Sequence, residues 1–225
     1  MASSRPDAPP KTHKGVGMEG LLAHWYAHQT ARDLDEFKSA AGRIAPYIAA
    51  GARVLEIAPG PGYLAVELAK RTGCRVTGLD ASHTFVRIAD RYARNAGQQI
   101  DFQQGDAADL PFPDEQFDCV VCRAAFKNFA RPLQALDEMY RVLKRGGVAL
   151  IIDLRKDFSR QAVNEYVRNR GLLSAAIIKL IFNTMLKKHA YTRDSIAELV
   201  ARSRFGYGDI RLDPIGFELW LRKPA

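Results

Sequence analysis

The residues best suited to chemistry lie between Val54 and Ala69, in the stretch VLEIAPGPGYLAVELA. An apolar run ends in a turn holding Gly60 and Gly62, and a helical pattern begins at once. Glycine in such a turn lets the backbone approach a ligand and adopt positive φ. The amino terminus of the helix behind it offers N–H groups to a carboxylate. Taken alone, the pattern also fits a plain tight turn, because nucleotide-binding folds of many kinds contain one. Asp80 adds to it. This acid closes the next apolar run about 20 residues past the glycines, where a carboxylate can accept both hydroxyls of a ribose. A cap or a surface charge is the other role open to a lone Asp. A third segment, QGDAADLPFPDEQF, then places Asp106 and Ala107 in a loop.

Possible proton carriers are fewer. His24 and His28, in HWYAH, stand one helical turn apart and share a face. A metal site would need a third ligand, and none is apparent in the sequence, so no metal is expected. A catalytic or substrate-binding His28 and ordinary packing or solvent exposure both stay open. Lys127 and Asn128, in FKNF, either contact a substrate or face solvent. Cys119 and Cys122 spell CxxC, but they sit in the apolar run FDCVVC, where strand alternation sends them to opposite faces. With Cys74 they make three cysteines, which gives no disulfide framework and suits a reducing compartment.

The elements that must position these groups alternate. Strands are expected at Arg53 to Ala58, Arg75 to Leu79, Ile100 to Gln103, Phe117 to Cys122 and Val148 to Leu154. Helices separate them: Tyr63 to Arg71, one capped by Ser82 that runs to Asn95, and one opened by Pro132 that closes at Gly146-Gly147. Such alternation marks a parallel sheet covered on both faces. Residues 1–15 read as a disordered tail and 16–50 as two helices broken near Thr30 to Asp33, with Asp33 as a possible cap. The core spans 51–157, a helical insertion 158–191, and the end of the sheet 192–225. There a helix, Arg193 to Arg202, precedes a hairpin of Gly208 to Leu212 and Phe217 to Arg222.

With 225 residues, 47% of them hydrophobic, the chain can build a real core. The net charge of +8 favours anionic partners, though the basic residues are scattered. The first residues lack the apolar core of a secretory signal, and no apolar run is long enough to span a bilayer. A cytoplasmic protein is the expectation.

On VLEIAPGPG, Asp80, GDAADLPF, FD-V and RVLKRGGVALIID, in that order over residues 50–155, the chain resembles the class I S-adenosylmethionine-dependent methyltransferases. The likeness is greatest to the small-molecule branch that includes the ubiquinone and menaquinone enzymes. The resemblance implies an α/β, Rossmann-like, seven-stranded, mostly parallel sheet. Its last strand is reversed, helices cover both faces, and a helical lid is inserted between strands 5 and 6. It implies S-adenosyl-L-methionine as cofactor and S-adenosylhomocysteine as product. Glu56, Ala58, Gly60 and Gly62 would line the methionine end. Asp80, with Ala81, would take the ribose. Gly105, Asp106 and Ala107 would hold the adenine, and Arg123 would sit beneath the sulfonium and aminoacyl group. Tyr26, in the N-terminal lid, would reach the cofactor. Two departures stand out: Ala58 replaces the first glycine of the family's turn, and FKNF lacks the histidines common after the fourth strand.

Methyl transfer from a sulfonium needs no protonated leaving group, so positioning dominates, at about 7–11 kcal/mol. A general base adds about 10²–10⁴-fold, and only where the acceptor must lose a proton. The acceptor atom, O, N or C, is left open. Leu172 to Leu186 is apolar on nearly all faces and reads as a lid helix, as a dimer contact or core, or as a membrane-surface element. Tyr166 and Tyr191 flank it and are candidates to line a pocket, Tyr191 also as a catalytic residue. The expected partner is a partly apolar or anionic small molecule, for a monomer or homodimer with peripheral membrane contact as an option. A nucleic-acid substrate is not expected, for want of a clustered basic stripe. The alternative class is a cofactor-binding regulator without catalysis.

Overall fold

The computed structural model describes Lys14 and residues 17–168 and 189–225. The tail apart from Lys14, and Leu172 to Leu186, lie outside the described residues. Helices α1 (Gly20–Thr30) and α2 (Leu34–Ile44) come first, joined by a 3₁₀ turn at Ala31–Asp33. Asp33 stands at the start of α2 but makes no capping bond. Its φ of −107° and ψ of 27° continue the turn, whereas a capping residue is extended.

The alternation then follows as the sequence reads: β1 (Arg53–Ile57), α3 (Tyr63–Thr72), β2 (Arg75–Asp80), α4 (His83–Asn95), β3 (Asp101–Gln104) and β4 (Phe117–Arg123). After these come α5 (Pro132–Val142), β5 (Leu143–Leu154), α6 (Arg160–Val167), α7 (Arg193–Arg202), β6 (Asp209–Leu212) and β7 (Gly216–Arg222). The strands form one sheet in the order β3-β2-β1-β4-β5-β7-β6. β1 to β5 run parallel, and β7 runs against both β5 and β6. The strand order turns back between β1 and β4, which opens a crevice outside their carboxyl ends.

Period-2 alternation sorts the core onto the two faces. Leu55, Ile57, Val120, Cys122, Ala149 and Ile151 pack against Leu136 and Met139 of α5 and Ile196 and Val200 of α7. Val54, Cys119, Val121, Val148 and Leu150 meet Ala40, Ala41 and Ile44 of α2 and Leu64 and Leu68 of α3. The two thiols of CxxC therefore lie on opposite faces.

The junction of α5 and β5 differs most from the expectation. The helix opened by Pro132 ends at Val142 rather than at Gly146-Gly147, because Leu143 is fully buried and pairs with Phe117. The strand then bulges and resumes at Val148 opposite Cys119. Gly147 makes the bulge possible: a Cβ there would lie 2.8 Å from the Lys144 carbonyl oxygen. Ser82 does cap α4, accepting the Phe85 amide at 3.1 Å.

Candidate functional site

The turn after β1 sits at the crevice. Gly60, at φ +55°, has no atom within 4 Å of where a side chain would begin. Gly62, at φ +82°, has no such room: a Cβ would lie 2.9 Å from the Ala89 Cβ and 3.1 Å from the Phe102 ring. Gly62→Ala therefore combines left-handed strain with overpacking against α4, for a loss of about 2–5 kcal/mol. Gly60→Ala meets only the strain, about 1–2 kcal/mol. Urea unfolding of the two variants should rank them in that order; equal losses would mean that α4 yields freely. Ala58 also holds left-handed φ, +55°, with its N–H on the Leu79 carbonyl at 2.7 Å. The backbone thus keeps the turn that a glycine would give and carries the strain of the extra methyl.

Asp80 ends β2 and is 6% exposed. One carboxylate oxygen accepts the Gly60 amide at 3.0 Å and the other the Ser82 amide at 2.9 Å. Burial pushes its carboxyl above the ordinary range, while these two amides pull the other way. The Asp80 carbonyl accepts the Gly105 amide at 2.9 Å, and the Gln104 side chain donates to the Ala81 carbonyl at 3.1 Å. Turn, strand end and third loop thus meet on one residue. In that loop Asp106 accepts the Ala108 amide at 2.9 Å on one oxygen and Arg131 at 2.5 Å on the other, and Ala107 beside it is buried.

Glu56, on β1, is 2% exposed, and its Oε2 has no hydrogen-bond partner. Burial pushes its carboxyl up to about 8, against the pull of the Arg123 charge, with Asp80 adding to the rise. Arg123, at the end of β4, lies over the Phe37 ring at 4.3 Å and 3.4 Å from the Glu36 carboxylate, which ties it to α2.

α1 covers this edge. Tyr26 meets the Phe85 ring edge-on at 5.8 Å, and the Ala27 carbonyl accepts the Tyr63 hydroxyl at 2.8 Å. Glu19 accepts the amides of His83 and Thr84 and the Thr84 hydroxyl, so it caps α4 from far away in sequence. α1 buries Ala23 and Ala27, which leaves His24 and His28 on its exposed face with Leu21 and Trp25. Among the described residues no group of three or more His, Cys, Asp or Glu is placed to hold a metal, and no helix is long and apolar enough to cross a membrane.

Past β4, Ala124 takes φ +58° and leads into a 3₁₀ turn at Phe126–Asn128. Lys127 does not face solvent. Its ammonium donates to Asp153 at 2.8 Å and to the Ala124 carbonyl at 2.6 Å, and its backbone N–H donates to the second Asp153 oxygen at 2.9 Å. The Asn128 carbonyl accepts the Lys14 amide at 2.6 Å. Tyr191 pairs with Arg155, just past β5, and lies 5.8 Å from the Phe126 ring; its hydroxyl is buried without a partner. Burial, with Asp153 nearby, pushes that phenol up to about 12. Lys127, Asn128 and Tyr191 thus gather at the carboxyl ends of β4 and β5. Sequence reasoning missed Glu19, Arg131 and Asp153, whose partners lie 25 or more residues away.

Known proteins share this fold. A family profile described as a methyltransferase domain matches residues 55–151. A demethylmenaquinone methyltransferase of Porphyromonas gingivalis is 32% identical over 171 residues, covering 73% of this chain and 67% of that protein. One from Thermus thermophilus is 41% identical over 102 residues, covering 45% of this chain and 46% of that protein. The chain spans about half the length of most curated relatives it matches. A Methanococcus maripaludis structure, put forward as an S-adenosyl-L-methionine-dependent methyltransferase, aligns over 99% of this chain and 98% of its own. Its TM-score of 0.70 at 21% identity shows a common fold. The Porphyromonas relative, matched over two thirds of its length, places the chain in the class I S-adenosylmethionine-dependent methyltransferase family, within its small-molecule branch.

Proposed function

We propose that this chain binds S-adenosyl-L-methionine along the carboxyl ends of β1 to β4 and methylates a small-molecule acceptor. A quinone-type ring is the acceptor class that the names of its relatives point to. The observation that carries this is the junction at Asp80, whose carboxylate accepts an amide of the glycine turn and whose carbonyl accepts one of the third loop.

The residues present fit the cofactor. The open side of Gly60 leaves room for a ligand against the backbone. The unpartnered Oε2 of Glu56 is a buried acceptor where the methionine end would bring an ammonium. Asp80 and Asp106 are acceptor-only groups, suited to the donors of a ribose and an amino-purine. Each of their oxygens uses one lone pair on the protein and keeps another. Bound there, the cofactor supplies a methyl group on a sulfonium, ready for in-line displacement.

The chain's own part is to bind, orient and exclude water. Tyr26 and α1 close the adenosyl side. Ala81 and Gly105 supply backbone beside the ribose and purine, and Ala107 an apolar wall. Arg123, paired with Glu36, has its charge partly offset, so it can lie near a sulfonium without strong repulsion. Asn128 and the buried Tyr191 hydroxyl are the groups assigned to the acceptor. Lys127 is assigned to holding their loop, because Asp153 occupies its ammonium. His28, on the outer face of α1, is given no role.

Asp80 is the residue to test. S-adenosylhomocysteine at a hundredfold excess over its Kd should stabilise the protein by about 2.7 kcal/mol. Asp80→Asn should weaken its binding by about tenfold or more, and Asp80→Ala further, since hydrogen bonds to charged groups are worth about 1.5–3 kcal/mol each. An unchanged Kd in both would dismiss the ribose assignment. Labelled methyl should pass from the cofactor into a lipid-soluble, quinone-bearing extract. Transfer into RNA instead would overturn the small-molecule acceptor.

A further inference from the structure

Arg131 was not among the expected ligand groups, yet it holds one of them. It is the residue before Pro132, a position that disfavours helical backbone; at φ −122° and ψ 66° it precedes α5 with the side chain on the third loop. The terminal nitrogen donates to the Asp106 Oδ2 at 2.5 Å, while the Ala108 amide fixes Oδ1 at 2.9 Å. The carboxylate is thereby clamped from both ends and cannot rotate toward solvent. Stability alone does not account for the pair. Arg131 and Asp106 are 30% and 16% exposed in their side chains, and partly exposed pairs contribute little. Moreover, the Arg131 Nε is buried and has no hydrogen-bond partner. Such a donor is costly to leave unpaired, and its presence beside a clamped acceptor points to a ligand that offers both kinds of group.

Adenine offers both on one side: a 6-amino donor and ring nitrogens that accept. We infer that Arg131 is a positioning residue that presents Asp106 to the 6-amino group and so sets the preference for adenosyl over inosyl ligands. The inference rests on the cofactor reading above. Hypoxanthine carries a 6-carbonyl, which would face the carboxylate lone pair against lone pair. A clamped carboxylate cannot swing away from that repulsion, whereas a free one can, so the clamp is what converts affinity into discrimination.

Titration calorimetry with S-adenosylhomocysteine and S-inosylhomocysteine tests this on the full chain. The wild type should prefer the adenosyl compound by about a hundredfold or more, since a site built around a hydrogen-bonded group rejects analogues that lack it. Arg131→Ala should weaken adenosyl binding by about tenfold, the loss expected for a charge-assisted contact. It should weaken inosyl binding far less, so the preference collapses. Arg131→Lys, which restores a cation, should recover part of the preference, and thermal unfolding of both variants checks that they fold. Equal weakening of both ligands, or an unchanged ratio, would overturn the positioning role while leaving the cofactor reading in place. Failure of the wild type to bind either compound would overturn both.

Discussion

Glu56→Gln is expected to yield a protein that is more stable than the wild type at about pH 8.5 and binds its cofactor less well. The cause is the burial of Glu56, which raises its carboxyl from an ordinary 4.5 to about 8. Between those values the folded chain keeps a proton that the unfolded chain has released. Stability from this group is therefore complete below about 4.5 and is lost as pH climbs to about 8. A gap of that size is worth at most about 5 kcal/mol, and relaxation around the new charge will absorb part of it. Glutamine cannot titrate. The variant's advantage in urea unfolding should be close to nil near pH 5 and reach about 2–4 kcal/mol near pH 8.5. A difference that does not change with pH would mean that the carboxyl is ionised throughout.

The same residue should tie cofactor binding to pH. The methionine end brings positive charge, so on the proposed reading it favours the Glu56 carboxylate and expels the proton. Wild-type affinity for S-adenosylmethionine should rise between about pH 6 and pH 8, with proton release visible in buffers of different ionisation enthalpy. Glu56→Gln should lose that release and bind about tenfold or more weakly. The site then holds a destabilising group in exchange for a charge that binding puts to use. An equal pH slope in both proteins would place the titrating group elsewhere.

The parts of the fold and site that the sequence revealed are those set by neighbours in the chain. Strand alternation in RVLEI and FDCVVC, the cap at Ser82 and the glycine turn are each decided within a few residues, so their pattern survives in one dimension. Asp80 could be placed because a strand end and a fixed spacing locate it. That it would bond to Gly60 could not, because the contact depends on how β1 and β2 pair. RVLKRGG reads as the end of a helix, and only the pairing of Leu143 with Phe117 shows that the strand begins there. Long-range polar contacts leave no local trace. Glu19 looks like any acid before a helix, yet it caps α4 rather than its own α1. Lys127 looks like a solvated or substrate-facing lysine because nothing near it in sequence predicts Asp153.

That pair carries the other large effect. Lys127→Met should cost about 3–5 kcal/mol, since the Asp153 side chain is fully buried and would keep its charge without a counter-ion. For a chain of this length such a loss lowers Tm by roughly 6–20 °C. Asp153→Asn should also destabilise, by taking the counter-charge from the buried ammonium. The double variant removes both charges, keeps an acceptor oxygen for one of the Lys127 and Leu154 amides, which bond to different Asp153 oxygens, and should be more stable than the two single losses imply, by at least about 1.5 kcal/mol. Strict additivity would mean that the two groups are independent. Activity of the double variant then separates the two roles of Lys127. If the ammonium only braces the 3₁₀ turn that carries Asn128, restoring the fold should restore much of the methyl transfer. If the protein refolds to near wild-type stability and kcat stays down by more than about a hundredfold, a loss of the size general acid–base groups produce, the ammonium itself must reach the acceptor. Lys127 would then belong with Asn128 and Tyr191 among the groups that touch it.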